Sequence, residues 1–193
     1  MLHILTNTYQ VIDPLFGRSD RPVELDMGCG RGKFVLDMAE RFPDRMVIGT
    51  DVMMGRLRKI LKKATRRGFE NFELLRANHL DIVGFMLPDN TVDRIHLLCP
   101  DPWPKARHRS KRIFMTDFFV RAARILKQGG VLHVATDHPP YHEVLFKVLE
   151  ELPFLESTPE KLDDIRDLKT DFEIQWLEEG KEVPHLCYTY NPQ

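Results

Sequence analysis

The stretch ELDMGCGRGKF, residues 24–34, decides how the chain is read. A short apolar run ends in an acid, breaks into glycines at 28, 30 and 32, and resumes at helical spacing. Strand, glycine turn and helix in that order mark the place where an open α/β sheet binds a nucleotide, because glycines let the backbone approach a ligand unobstructed. A dinucleotide fingerprint would be GxGxxG, and its third glycine position is Lys33 here. The pattern present is Asp-x-Gly-x-Gly-x-Gly from Asp26. An acid at that point repels a pyrophosphate and suits a ligand that carries cationic groups. The glycines alone would also fit a plain tight turn, but a second acid, Asp51, ends the next apolar run and weighs against that reading.

Working outward, the runs PVELDM, MVIGTD, FELLRA, VDRIHLLC and GGVLHVAT have strand length and alternate with longer segments of helical period. That alternation predicts βα units around a mostly parallel sheet. Helices are expected at 32–42, 53–67, 113–127 and 139–152. In the second of these Leu57, Ile60, Leu61 and Ala64 share the inward face, and Arg56, Lys59, Lys63 and Arg67 point outward. Gly129 and Gly130 are read as the stop of one helix and the start of the fifth strand. Residues 156–171 are polar and read as a mobile loop ahead of a last strand near 184–190.

The 193 residues, 42% hydrophobic and 30% charged, fit one domain, read as a short segment 1–21 followed by a core over 22–193. No apolar run approaches the roughly 20 residues that cross a bilayer, and no secretory signal pattern opens the chain, so the cytoplasm is expected. Cys29, Cys99 and Cys187 form no CxxC pair and read as reduced thiols, and the eight histidines show no metal-ligand spacing. The net charge of -1 hides a segregation: residues 55–68 hold seven cations and no acid, whereas 150–182 hold twelve acids against four bases. One face can therefore steer a polyanion.

The segment PDPWPKARHRSKR, 100–112, hangs past the end of the fourth strand, beside the glycine turn. Its prolines stiffen the backbone after Asp101, Trp103 offers a plane for core packing or base stacking, and Lys105, Arg107, Arg109, Lys111 and Arg112 can meet a phosphate backbone. Asn78 follows the third strand, where an amide could read an adenine edge or cap a helix. His108 and His138 read as polar loop residues near this edge.

The Asp26 turn resembles the first motif of class I methyltransferases that use S-adenosylmethionine. The Pro-Asp-Pro-Trp-x-Lys-x-Arg-His stretch, ATDHPPY at 135–141 and TDFE at 170–173 together resemble the bacterial tRNA (guanine-N7-)-methyltransferase family, over about Val23 to Tyr190. That resemblance implies a single Rossmann-like class I methyltransferase domain, with a mostly parallel seven-stranded sheet, helices on both faces and a last antiparallel strand. It implies S-adenosylmethionine as cofactor and tRNA as partner, with methyl transfer to N7 of the variable-loop guanosine. Implied cofactor contacts are Asp26, Gly28, Gly30, Gly32, Asp51, Asn78 and Asp101, with Asp101 also catalytic. Implied substrate contacts are Lys105, Asp137, Thr170, Asp171, Phe172 and Glu173. The chain has Asp at 26 and 51, where the family often has Glu, and Asn at 78, where it often has Asp. Asp101 and Asp137 read alternatively as caps of turns or helices. No metal or membrane is expected, and a monomer or a homodimer stays open. A methyltransferase acting on another RNA, a protein or a small molecule, and a non-catalytic RNA-binding module, are the competing readings.

Overall fold

The computed structural model describes residues 1–4, 20–101 and 113–192. Its strands are β1 (Leu2–Ile4), β2 (Val23–Met27), β3 (Met46–Asp51), β4 (Phe72–Arg76), β5 (Val92–Leu98), β6 (Leu126–Ala135), β7 (Leu155–Ser157) and β8 (His185–Tyr190). Its helices are α1 (Lys33–Arg41), α2 (Met54–Arg67), α3 (Thr116–Ile125), α4 (Pro139–Glu150) and α5 (Asp171–Glu178), with a short helical stretch over 79–86. The strands form one sheet in the order β1-β4-β3-β2-β5-β6-β8-β7. All pairings are parallel except those of β8 with β6 and with β7. The expected seven strands are present, and Leu2–Ile4 adds an eighth beside β4.

Strand β2 is central, with β3 on one side and β5 on the other. The chain order reverses there, and such a reversal is where an open α/β sheet holds its ligand, in a crevice at the carboxyl edge. Helices cover both faces, as the periodicity requires. On one face Phe34, Val35, Met38, Leu57, Ile60 and Ala64 from α1 and α2 are buried. On the other, Phe118, Phe119 and Ala122 from α3 pack with Leu145 and Leu149 from α4. Helix α2 ends where Gly68 takes φ 69° and donates to the carbonyls of Ala64 and Thr65.

Two sequence expectations give way. The glycine pair 129–130 does not stop a helix: α3 ends at Ile125, and Leu126 already pairs with Val92. The register then slips, so that Arg94 faces Val131, and the residues between them bulge out of β6. Gly129 sits at φ 75°, and a Cβ on Gly130 would stand 2.7 Å from the Lys127 carbonyl oxygen. The glycines therefore serve the bulge.

Residues 156–171 are ordered, contrary to the expected mobile loop. Leu162, Ile165 and Leu168 recur every third position and are buried against α1, each contributing about 1.5–3 kcal/mol of burial. Asp164 accepts from Arg94 Nη1 and Nη2 at 2.9 and 3.1 Å and pairs with Arg45 at 2.8 Å. Arg45 also reaches buried Glu24 at 2.7 Å. The exposed Arg41–Asp167 pair adds geometry more than energy.

Candidate active site

The crevice begins at the turn after β2. Gly28 N and Cys29 N donate to the Thr50 carbonyl at 2.9 and 2.8 Å, which ties the turn to β3. Asp51 ends β3 with its carboxylate turned back: Oδ2 accepts from Gly30 N at 3.2 Å, and Oδ1 accepts from Met53 N at 2.7 Å. Arg56 stands 3.4 Å away. Asp26 and Asp51 are both buried, and burial, then the Asp51 charge, pushes the Asp26 carboxyl up to about 7. Since this pKa is raised on folding, the group favours the folded state most below the ordinary carboxylate range, and that contribution is lost as pH rises to about 7. An arriving cation would reverse the cost.

The glycines of the turn differ in what they permit. Among the described residues a Cβ on Gly30 would meet only the Gly28 carbonyl oxygen and Phe172, each at 3.9 Å, which is ordinary contact. Gly32 lies at φ 86°, and a Cβ there would stand 2.5 Å from Cγ1 of fully buried Ile60. Gly32→Ala is expected to destabilise the fold by about 2–4 kcal/mol, from left-handed strain plus overpacking. Urea unfolding checks this, and an unchanged midpoint would show that α2 yields at Ile60.

Strand β5 ends at Leu98, and Cys99 after it is a non-glycine residue at φ 53° whose N–H donates to the Ala135 carbonyl at 2.8 Å. Backbone strain of this kind gathers at functional edges, and Asp101 follows it, exposed. Burial raises the Cys99 thiol, and Asp137 and Glu173 raise it further, so acids from the loop after β6 and from α5 meet there. Among the described residues neither Asp101 nor Asp137 makes a hydrogen bond. The cap of α4 is His138, whose Nδ1 accepts from Tyr141 N, rather than Asp137.

Helix α5, which lacks a clear apolar period, closes one side of the crevice. Thr170 caps it by accepting from Glu173 N at 3.0 Å, and Asp171 accepts from Lys33 N at 3.3 Å. Phe172 is 38% exposed and stacks on Trp176 at 5.8 Å, with the Arg31 guanidinium 5.8 Å from its ring centre. Glu173 is buried, with Oε1 held by Lys169 and His185.

Asn78 lies on the crevice rim as a helix cap: Oδ1 accepts from Asp81 N at 2.9 Å, and Nδ2 donates to Asp81 Oδ2. His79, which the sequence reading passed over, is mostly buried against Gly28, and burial lowers its pKa while Asp51 and Asp101 counteract. Only its place after Asn78 hinted at it. Trp103, Lys105, Arg107, His108, Arg109, Lys111 and Arg112 lie outside the described residues. On α2, Lys59 and Lys63 are exposed without an ion pair among the described residues, whereas Arg67 pairs with Glu40. Among the described residues no helix is long and apolar enough to cross a membrane, no cluster of side chains is placed to hold a metal ion, and the three cysteines are free.

This sheet order, with an acid-and-glycine turn after the central strand and a second acid closing its neighbour, defines the chain as a class I methyltransferase domain. The family model described as "Putative methyltransferase" matches residues 20–186. Among solved structures the fold is similar to that of the 16S rRNA methyltransferase KamB, with a TM-score of 0.66 and 22% identity over 93% of this chain and 92% of that one. Relatives that carry the name tRNA (guanine-N(7)-)-methyltransferase include those of two bacteria. That of Marinobacter nauticus is 35% identical over 78% of this chain and 64% of its own length. That of Corynebacterium glutamicum is 33% identical over 93% of this chain and 71% of its own. The chain belongs to the tRNA (guanine-N(7)-)-methyltransferase family. It spans slightly less than two thirds of the Marinobacter relative.

Proposed function

We propose that this domain, acting in the cytoplasm, transfers a methyl group from S-adenosylmethionine to N7 of guanine in tRNA, at the variable-loop guanosine. The observation that carries this reading is the gathering of acids around the glycine turn at the carboxyl edge: the Asp51 charge acts on buried Asp26, Asp51 and Asp101 both act on His79 beside Gly28, and Asp137 acts on Cys99.

The residues fit the cofactor. Asp26 and Asp51 offer negative charge to an ammonium and a sulfonium, and Asp51 keeps lone pairs for ribose hydroxyls beyond those used by Gly30 and Met53. With its carbonyl oxygen committed to Asp81 N, Asn78 retains chiefly an N–H for an adenine edge. When bound, S-adenosylmethionine supplies an electrophilic methyl group. Guanine N7 has an in-plane lone pair and no proton, so this chain needs to furnish alignment and dryness rather than a general base. Asp101 follows the positive charge as it moves to the purine. Asp137 accepts from the amino and imino donors of guanine, while the exposed ring of Phe172, backed by Trp176, gives the base a stacking plane. Thr170 and Glu173 build the turn that carries it, and Asp171 ties that turn to α1. Lys105 and the cations after it, with Lys59 and Lys63, meet phosphates.

Cofactor binding should release a proton. Asp26 titrates near 7 when the crevice holds no cation and ionises fully beside one, so affinity should rise with pH up to about 7 and then level. Calorimetric titration with S-adenosylmethionine at about pH 6, in buffers of different ionisation enthalpy, should read close to one proton released. Heats independent of buffer would place the cationic groups away from Asp26.

A further inference from the structure

Under α1, one face of the sheet carries a row of ionisable side chains that the proposed chemistry does not use. Glu24 Oε2 lies 2.9 Å from His96 Nε2, and His96 Nδ1 lies 2.9 Å from His133 Nδ1. His133 Nε2 lies 2.7 Å from His185 Nδ1, and His185 Nε2 lies 2.9 Å from Glu173 Oε1. The row crosses β2, β5, β6 and β8, which are consecutive in the sheet, and ends on α5. Phe34 packs edge-on against His96 and His133, sealing it from above.

Counting protons assigns the states. Each of the four links needs one proton, and three neutral imidazoles carry three. With an ionised carboxylate at both ends, one ring must donate from both nitrogens. Burial holds His96 and His133 toward neutrality, and His133 is driven further by His96, His185, Arg94 and Lys169. His185 is the half-buried member, at the rim of a cavity it shares with His133, Arg166 and Lys169. With His185 carrying two ring protons, His133 donates from Nδ1 to His96 and His96 donates from Nε2 to Glu24, and every link is made. Glu24 is held ionised against burial by His96, Arg94 and Arg45, and Glu173 by His185 and Lys169. The groups facing His185 are thus Glu173, which favours the second proton, and Lys169, Arg166 and His133, which oppose it.

We infer that His185 is a positioning residue for the substrate platform: protonated on both ring nitrogens, it clasps Glu173 and so holds the first turn of α5, with Phe172 on it, over the crevice. His133, His96 and Glu24 fix the His185 ring from behind. The inference rests on the reading of Phe172 as a base-stacking residue. Loss of the extra proton leaves one link with two facing lone pairs and weakens the hold on α5.

Nitrogen-15 spectra of the histidine side chains in the whole protein test the states without reference to activity. At the pH of maximal transfer His96 should carry a proton only on Nε2, His133 only on Nδ1, and His185 on both. A single proton on His185 overturns the inference. The kinetic arm compares the parent with His185→Gln, which can donate to Glu173 but cannot hold a charge. At saturating cofactor kcat/KM for tRNA should fall about tenfold, and calorimetric affinity for S-adenosylmethionine should not change. If Phe172→Ala lowers kcat/KM while His185→Gln keeps the parent rate, the clasp is wrong and the platform stands. If Phe172→Ala has no effect, the platform reading itself fails.

Discussion

Replacing Asp101 with Asn should slow methyl transfer by roughly 100- to 1,000-fold while cofactor affinity changes little. The substitution keeps the shape of the side chain and removes the charge that follows the developing purine cation. Asp101 suits this role because it follows the strained Cys99, is exposed, and makes no hydrogen bond among the described residues. It also lies close enough to His79, beside Gly28, to act on that ring. Single-turnover rates at saturating cofactor and tRNA measure the effect. A near-parental rate would reduce Asp101 to a turn residue.

Asp51→Ala should weaken S-adenosylmethionine binding by about 100-fold, since two hydrogen bonds to a charged acceptor are each worth about 1.5 kcal/mol or more. The structure adds a second consequence. Asp51 holds Gly30 N and Met53 N, so truncation also loosens the glycine turn. It further removes the second cause of the raised Asp26 carboxyl, which should return toward the ordinary range and shrink the proton release at about pH 6. Calorimetry reads both effects in one titration series. An unchanged dissociation constant would put the ribose elsewhere.

What the sequence disclosed follows from how local each signal is. The Asp26 turn and the face of α2 rest on residues within a few positions of each other, and Leu57, Ile60 and Ala64 are buried as that periodicity requires. The segment 156–171 misled because its apolar residues are sparse and its acids look solvated. Their partners, Arg41, Arg45 and Arg94, lie more than 60 residues away and are brought in only by the sheet. The Gly129–Gly130 pair had two uses, helix stop or bulge, and the pairing register of β5 with β6 chose between them. Asn78 could have faced the ligand or the helix that follows, and Asp81 N took its carbonyl oxygen. The histidine row was hidden for the same reason as the acids, because residues 24, 96, 133 and 185 meet only when strand order places them side by side.

The central claim is the identity of the methylated atom. The direct measurement is incubation of the protein with methyl-labelled S-adenosylmethionine and unmodified tRNA, followed by digestion and nucleoside analysis. Label should appear in 7-methylguanosine from the variable loop, and far more slowly in Asp101→Asn. Label in another nucleoside, or none in tRNA while cofactor binds normally, would contradict it.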